Sequence, residues 1–151
     1  MQTSSPYSIR AICQTDEKTW TKLWLQYMDF YETNIASEIT QNTFKKLLVN
    51  DDKMGCLLAC DENNIPIGFL TYVTHRSTWK LNPVCYLNDL FVCNNHRKNG
   101  VASQLLNQLK KLSDQFGWSQ IYWLTKPDNF IAQKFYEKIA TGQPWIEYVM
   151  I

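Results

Sequence analysis

Residues 86–102 read Tyr86-Leu-Asn-Asp-Leu-Phe-Val-Cys-Asn-Asn-His-Arg-Lys-Asn-Gly-Val-Ala102. An apolar strand ends at Val92 and a short polar loop follows. Gly100 then opens a helix whose apolar face carries Val101, Leu105, Leu106, Leu109 and Leu112. Such a junction aims free backbone N–H groups and the positive end of a helix dipole at one spot, a seat for phosphate or pyrophosphate. Glycine at position 100 lets an anion approach the backbone where a side chain would stand in the way. The loop has neither the Gly-x-x-x-x-Gly-Lys-Ser/Thr nor the Gly-x-Gly-x-x-Gly spacing of other phosphate cradles. The plain alternative is a helix start with no ligand.

Working outward, Tyr7 to Ile12 reads as a first strand. Asp16 is a candidate N-cap for a helix in which Trp20, Leu23, Trp24, Tyr27, Met28 and Tyr31 share one aromatic face. A second helix runs from about Thr40 to Val49 and stops at Asn50-Asp51-Asp52. Cys56–Cys60 and Ile65–Thr74 form a hairpin around Asp61-Glu62-Asn63-Asn64, and Val84–Val92 is a long strand after a polar loop. The Gly100 helix extends to about Phe116 with Gly117 as its cap. Ile121–Thr125 is a strand, Asn129–Lys138 a helix and Trp145–Ile151 a final strand. The order β-α-α-β-β-β-α-β-α-β predicts a single mixed α/β domain over residues 1–151, with a central mixed sheet covered by helices on both faces. Hairpin-joined strands should be antiparallel, and the two strands flanking the Gly100 helix parallel.

A chain of 151 residues can bury a core without staples. Its net charge of +1 gives little electrostatic reason to expect nucleic acid or an anionic membrane as partner. No apolar run approaches the ~18 residues of a membrane span, and Met1-Gln-Thr-Ser-Ser-Pro6 lacks the charged and apolar regions of a signal peptide. The five cysteines are odd in number, form no Cys-x-x-Cys pair and fall mostly in strand-like runs, where a free thiol acts as a small hydrophobe. A reduced, cytoplasmic enzyme-sized domain is the expectation. His75 and His96 lack metal-ligand spacing to Cys or carboxylates, so no metal is expected. His96-Arg97-Lys98 is the one notable basic spot, well placed beside a bound phosphate.

Arg97-x-x-Gly100-x-Ala102 resembles the Gln/Arg-x-x-Gly-x-Gly/Ala signature of the GNAT superfamily of acyl-CoA-dependent N-acyltransferases. A second block, Ile121-Tyr-Trp-Leu-Thr125 followed by Asn129-x-x-Ala132-x-x-Phe135-Tyr136, resembles that superfamily's fifth strand and next helix. With the element order, the resemblance covers nearly the whole chain. The Leu-x-Asp-Leu-Phe-Val strand, the Tyr-Trp-x-Thr run and Pro144-Trp145-Ile-Glu-Tyr148 are similar to one branch, the polyamine and yeast Hpa-type histone and D-amino-acid acetyltransferases.

The resemblance implies transfer of an acetyl group from acetyl-CoA, as co-substrate, to a primary amine by direct attack. The acceptor it implies is a small molecule such as a polyamine or amino acid; a protein lysine or N-terminus is the alternative, and near-neutral charge speaks against a basic histone tail. The segment Arg97, Lys98, Asn99, Gly100, Val101 and Ala102 would hold the pyrophosphate. Backbone groups near Phe91 and Val92, left free where strands diverge, would bind the pantetheine arm and polarise the thioester. Asn129 would fix the cofactor's path beside Phe135, and Tyr136 would protonate the departing thiolate. Without that context Tyr136 reads as a core tyrosine and Asn129 as a helix cap. Tyr31, Glu32 and Tyr86 are candidates to line the acceptor site. Relatives often place a Glu on the fourth strand facing the acceptor; strand alternation here puts Tyr86, Asn88 and Leu90 on that face and Asp89 on the other. Asn88 in place of the carboxylate suggests a water relay or a base such as Glu32 or Glu38, and raises the alternative of an acyl-CoA-binding module without turnover. The aromatic last strand suits pairing across a homodimer.

Overall fold

The structure, a computed structural model, describes residues 4–49 and 53–151. The expected stop at Asn50-Asp51-Asp52 and the start of the N-terminal Met1-Gln-Thr segment lie outside the described residues. The elements are β1 (Ser8–Ala11), α1 (Glu17–Phe30), α2 (Ser37–Val49), β2 (Met54–Cys60), β3 (Pro66–His75), β4 (Val84–Val92), α3 (Val101–Phe116), β5 (Ile121–Tyr122) and α4 (Phe130–Tyr136). The five strands lie side by side in chain order. Three antiparallel pairings are followed by one parallel pairing of β4 with β5, as the helical crossover through α3 requires.

The sheet alternates, and each face has its own core. Cys56, Leu58, Cys60, Phe69 and Phe91 meet Trp20, Leu23, Trp24 and Met28 of α1 and Phe44 and Leu47 of α2. Leu57, Ala59, Leu70, Cys85, Leu87 and Val92 meet Val101, Leu105, Leu106 and Leu109 of α3. Trp20 is wholly buried and stacks on Trp24 with ring centroids 5.2 Å apart. Burying aromatic and aliphatic surface on both faces is what holds the thin sheet in place. Asp16 does precede α1, but its carboxylate turns away from a capping role. It accepts two 2.8 Å hydrogen bonds from the Arg10 guanidinium and one from the Cys13 N–H. Those bonds, Arg10 first, hold its pKa at about 2.

Three sequence expectations are corrected. Only Ile121 and Tyr122 of β5 pair with β4, opposite Cys85 and Tyr86, so the strand is shorter than Ile121–Thr125. Helix α4 ends at Tyr136 rather than Lys138. Residues 141–151 form no strand. A strand exists only where a neighbour takes its N–H and C=O groups, and β5 stops too soon to supply one. Trp145, Ile146, Tyr148 and Val149 are in consequence 74–89 % exposed.

The register of β3 on β4 also shifts. Thr71 lies opposite Asp89 but Tyr72 lies opposite Leu87, leaving Asn88 as the extra residue of a β-bulge. Cys85 and Leu87 point to the α3 side before the bulge; Leu90 and Val92 do so after it. The alternation is therefore inverted within β4, and the expected face of Tyr86, Asn88 and Leu90 does not exist.

Candidate active site

Beyond Tyr86 the β4–β5 pairing ends, and a cavity of about 380 Å³ opens between the two strands, α1, α3 and α4. Its walls include Phe91, Val92, Arg97, Lys98, Gly100, Val101, Ala102, Asn129, Phe135, Tyr136 and Tyr31, eleven residues singled out from the sequence. Glu32, Tyr86, Asn88 and Asn99 are not among the lining residues. Phe30, Leu90 and Ile131 line it without any sequence signal beyond apolar periodicity.

At one end the polypeptide enters α3 through two left-handed residues, Lys98 at φ 65° and Gly100 at φ 77°. This is the conformation glycine adopts without strain. A Cβ at Gly100 would meet nothing within 4 Å, so the space above the backbone is open. Among the described residues no side chain caps the first turn of α3, which leaves its N–H groups directed at that space. An anionic oxygen fits such a set of donors. Arg97 does not point there. Its Nε donates to the Val92 carbonyl at 2.9 Å, and its guanidinium lies over the rings of Phe30 at 5.1 Å and Phe91 at 5.5 Å. The expectation of free backbone groups at Val92 is corrected accordingly for its carbonyl.

At the other end Asn129 caps α4, accepting from the Ala132 N–H at 3.3 Å, while lining the cavity. Tyr136 packs edge-on against Trp123 with centroids 5.2 Å apart. Burial, and then the neighbouring Tyr31, push its pKa up. The phenol therefore keeps its proton at neutral pH, the state required of an acid.

The α1 side of β4 is organised by Asp89. The bulge turns its carboxylate toward α1, where it accepts from the Tyr27 hydroxyl at 2.9 Å and from Thr71 Oγ1. Burial and the Asp89 charge raise the Tyr27 pKa. Asn88 is exposed, with its amide 3.3 Å from Asp89, and Glu32 is exposed at φ 50° beyond the end of α1. Tyr86 is half-buried beside Tyr122, 5.1 Å between centroids. Strand alternation had assigned Asp89 to the wrong face, and nothing local in Leu87-Asn-Asp-Leu90 marks a bulge. Among the described residues no group of three His, Cys, Asp or Glu lies where it could hold a metal ion. Among the described residues no helix is long and apolar enough to cross a membrane.

Strands β4 and β5 thus run parallel, with the open first turn of α3 between them in sequence and the half-buried Tyr136 phenol across the cavity. Residues 9–140 match the sequence profile of the acetyltransferase (GNAT) family, and the chain belongs to that family and is an N-acetyltransferase. It is 35% identical over 133 residues to the D-amino-acid N-acetyltransferase HPA3 of Saccharomyces cerevisiae, covering 87% of this chain and 83% of that protein. Among solved structures, a probable acetyltransferase superposes with a TM-score of 0.83 at 26% identity, covering 95% of this chain and 97% of the other. The aminoglycoside N-acetyltransferase AAC(6')-Iy in complex with CoA superposes with a TM-score of 0.81 at 21% identity, covering 99% and 98%, which shows a shared fold.

Proposed function

We propose that this enzyme transfers the acetyl group of acetyl-CoA to the primary amine of a small amino-acid-like molecule by direct attack. The observation that carries the reading is the single cavity joining the open α3 N-terminus, Asn129, Tyr136 and the Tyr27–Tyr31 wall. In this reading the α3 N–H groups and Lys98 hold the pyrophosphate, and Asn99 closes the loop beside them. Asn129 and Phe135 guide the pantetheine arm, and the exposed β4 edge at Phe91 orients the thioester. The amine nitrogen bonds to the carbonyl carbon, the tetrahedral intermediate collapses, and the C–S bond breaks. The thiolate takes the Tyr136 proton; the proton lost by the amine passes by way of water to Asp89, in place of the Glu32 or Glu38 that the sequence offered as base. A charge-assisted bond donated to the Asp89 carboxylate favours an ammonium group arriving nearby.

The amino-acid class is supported by the HPA3 relative and by Lys126. Its ammonium lies 5.9 Å from the centre of the Tyr31 ring, beside the cavity wall that Tyr31 forms. A carboxylate suits that cation, whereas the second ammonium of a polyamine would be repelled by it. We further read the chain as one catalytic domain of a cytoplasmic homodimer. The exposed apolar segment Trp145–Ile151 supports the dimer, and five free cysteines suit a reducing compartment.

The test is calorimetric titration with acetyl-CoA, followed by turnover with D-alanine, L-alanine and spermidine. Micromolar binding and turnover of an alanine in preference to spermidine are expected. Absence of acetyl-CoA binding would overturn the reading, and preference for spermidine would overturn the acceptor class.

A further inference from the structure

The chain ahead of β1 is tied to the cofactor loop from 89 residues away. Gln104 of α3 donates to Ser5 Oγ at 2.6 Å, laying the N-terminal segment along the first turns of that helix. The half-buried Tyr7 packs against the α3-side core and places its hydroxyl between two residues of the loop. His96 Nδ1 is 3.1 Å from the Tyr7 Oη, and Asn99 Nδ2 donates to the same oxygen at 3.4 Å. The two rings meet edge to face, 5.7 Å between centroids and 82° between planes.

Hydrogen-bond inventory orders this network. A phenol has one proton to give. Asn99 donates into its oxygen, and the same hydroxyl shares a second hydrogen bond with His96 Nδ1, the donor being set by the imidazole tautomer. His96 lines the cavity and Asn99 immediately precedes Gly100, so one hydroxyl grips both ends of the four-residue turn containing Arg97 and the left-handed Lys98. Such a turn has few ways of its own to stay ordered; the Arg97 N–H reaches the Asn94 carbonyl at a long 3.4 Å.

We propose that Tyr7 is a positioning residue for the cofactor's pyrophosphate. By bonding His96 and Asn99 together it pre-organises the loop that presents the α3 N-terminus. Its contribution lies in ordering the seat before ligand arrives, a cost that binding would otherwise bear. The inference rests on the acetyl-CoA reading above.

The experiment compares Tyr7→Phe with the unaltered enzyme, using CoA and pantetheine as probes. Pantetheine keeps the thiol arm and lacks the pyrophosphate. The dissociation constant for CoA is expected to rise about fivefold as the loop loses the hydroxyl that joins His96 to Asn99, while that for pantetheine stays unchanged. In a cycle with His96→Ala, the double variant should bind CoA no more weakly than His96→Ala alone. Equal CoA affinity for Tyr7→Phe and the unaltered enzyme overturns the proposal. So does an equal loss for CoA and pantetheine, which marks general loosening, or additivity in the cycle. Should the unaltered enzyme bind CoA no better than pantetheine, the pyrophosphate seat itself is absent and the parent reading falls with it. Thermal unfolding of each variant confirms that the fold is intact.

Discussion

Tyr136 differs from the other tyrosines of the cavity by its place opposite the α3 N-terminus, at the end of α4. Its half-buried phenol has a raised pKa, so it stays protonated through the neutral range and titrates only in more alkaline solution. A group that acts by giving up a proton to a thiolate needs that state. Tyr136→Phe keeps the ring that packs on Trp123 and removes only the hydroxyl. The expected outcome is a fall in kcat of about 10²-fold with CoA affinity unchanged, read by steady-state kinetics and calorimetry. An unaltered kcat would remove Tyr136 from the mechanism. Asp89 makes a different point at the same scale. The hydrogen bonds it accepts from Tyr27 and Thr71 tie α1, β3 and β4 together, so one carboxylate joins three elements.

At the scale of elements, the junction of β4 with α3 combines two conformational demands. The strand must end at Val92 with its carbonyl held by Arg97, and the chain must then turn through left-handed residues into a helix with an open first turn. Gly100 meets both, having the φ of 77° and leaving empty space above it. Gly100→Val places a β-branched side chain in that conformation and in that space. The expected result is loss of detectable CoA binding in calorimetry and a destabilisation of about 1–2 kcal/mol in denaturant unfolding. Retained binding would mean that the anion sits elsewhere. The other end of α3 obeys the same rule: Gly117 at φ 70° closes the helix, where the sequence placed its cap.

At the scale of the molecule, the two cores leave one large piece of apolar surface uncovered. Trp145, Ile146, Tyr148, Val149, Met150 and Ile151 are each at least 74% exposed, next to a sheet that ends in a two-residue strand. Exposed apolar side chains gathered in one segment suit the homodimer proposed above. Within the proposed homodimer, Trp145→Glu combined with Tyr148→Asp should shift the species seen by sedimentation from dimer to monomer without changing the CoA dissociation constant. A monomer before any substitution would refute the dimer.

The sequence by itself determined the element order as far as α4, the antiparallel and parallel pairings, the apolar faces of α1 and α3, the Gly100 turn and eleven residues of the cavity wall. These are properties of short windows: period, turn chemistry and spacing are written in consecutive residues. Only the tertiary structure decided the bulge at Asn88, which hands the acceptor face to Asp89, because a register shift exists only in relation to the partner strand. The same holds for the unformed strand at Trp145–Ile151, whose apolar pattern is genuine but whose hydrogen-bond partners depend on where β5 ends. It holds for Arg97, drawn from the anion seat onto Phe30 and Phe91, and for Tyr7 and His96, brought together across 89 residues. Each is a contact between distant segments, and no local pattern encodes a neighbour that the chain meets only on folding.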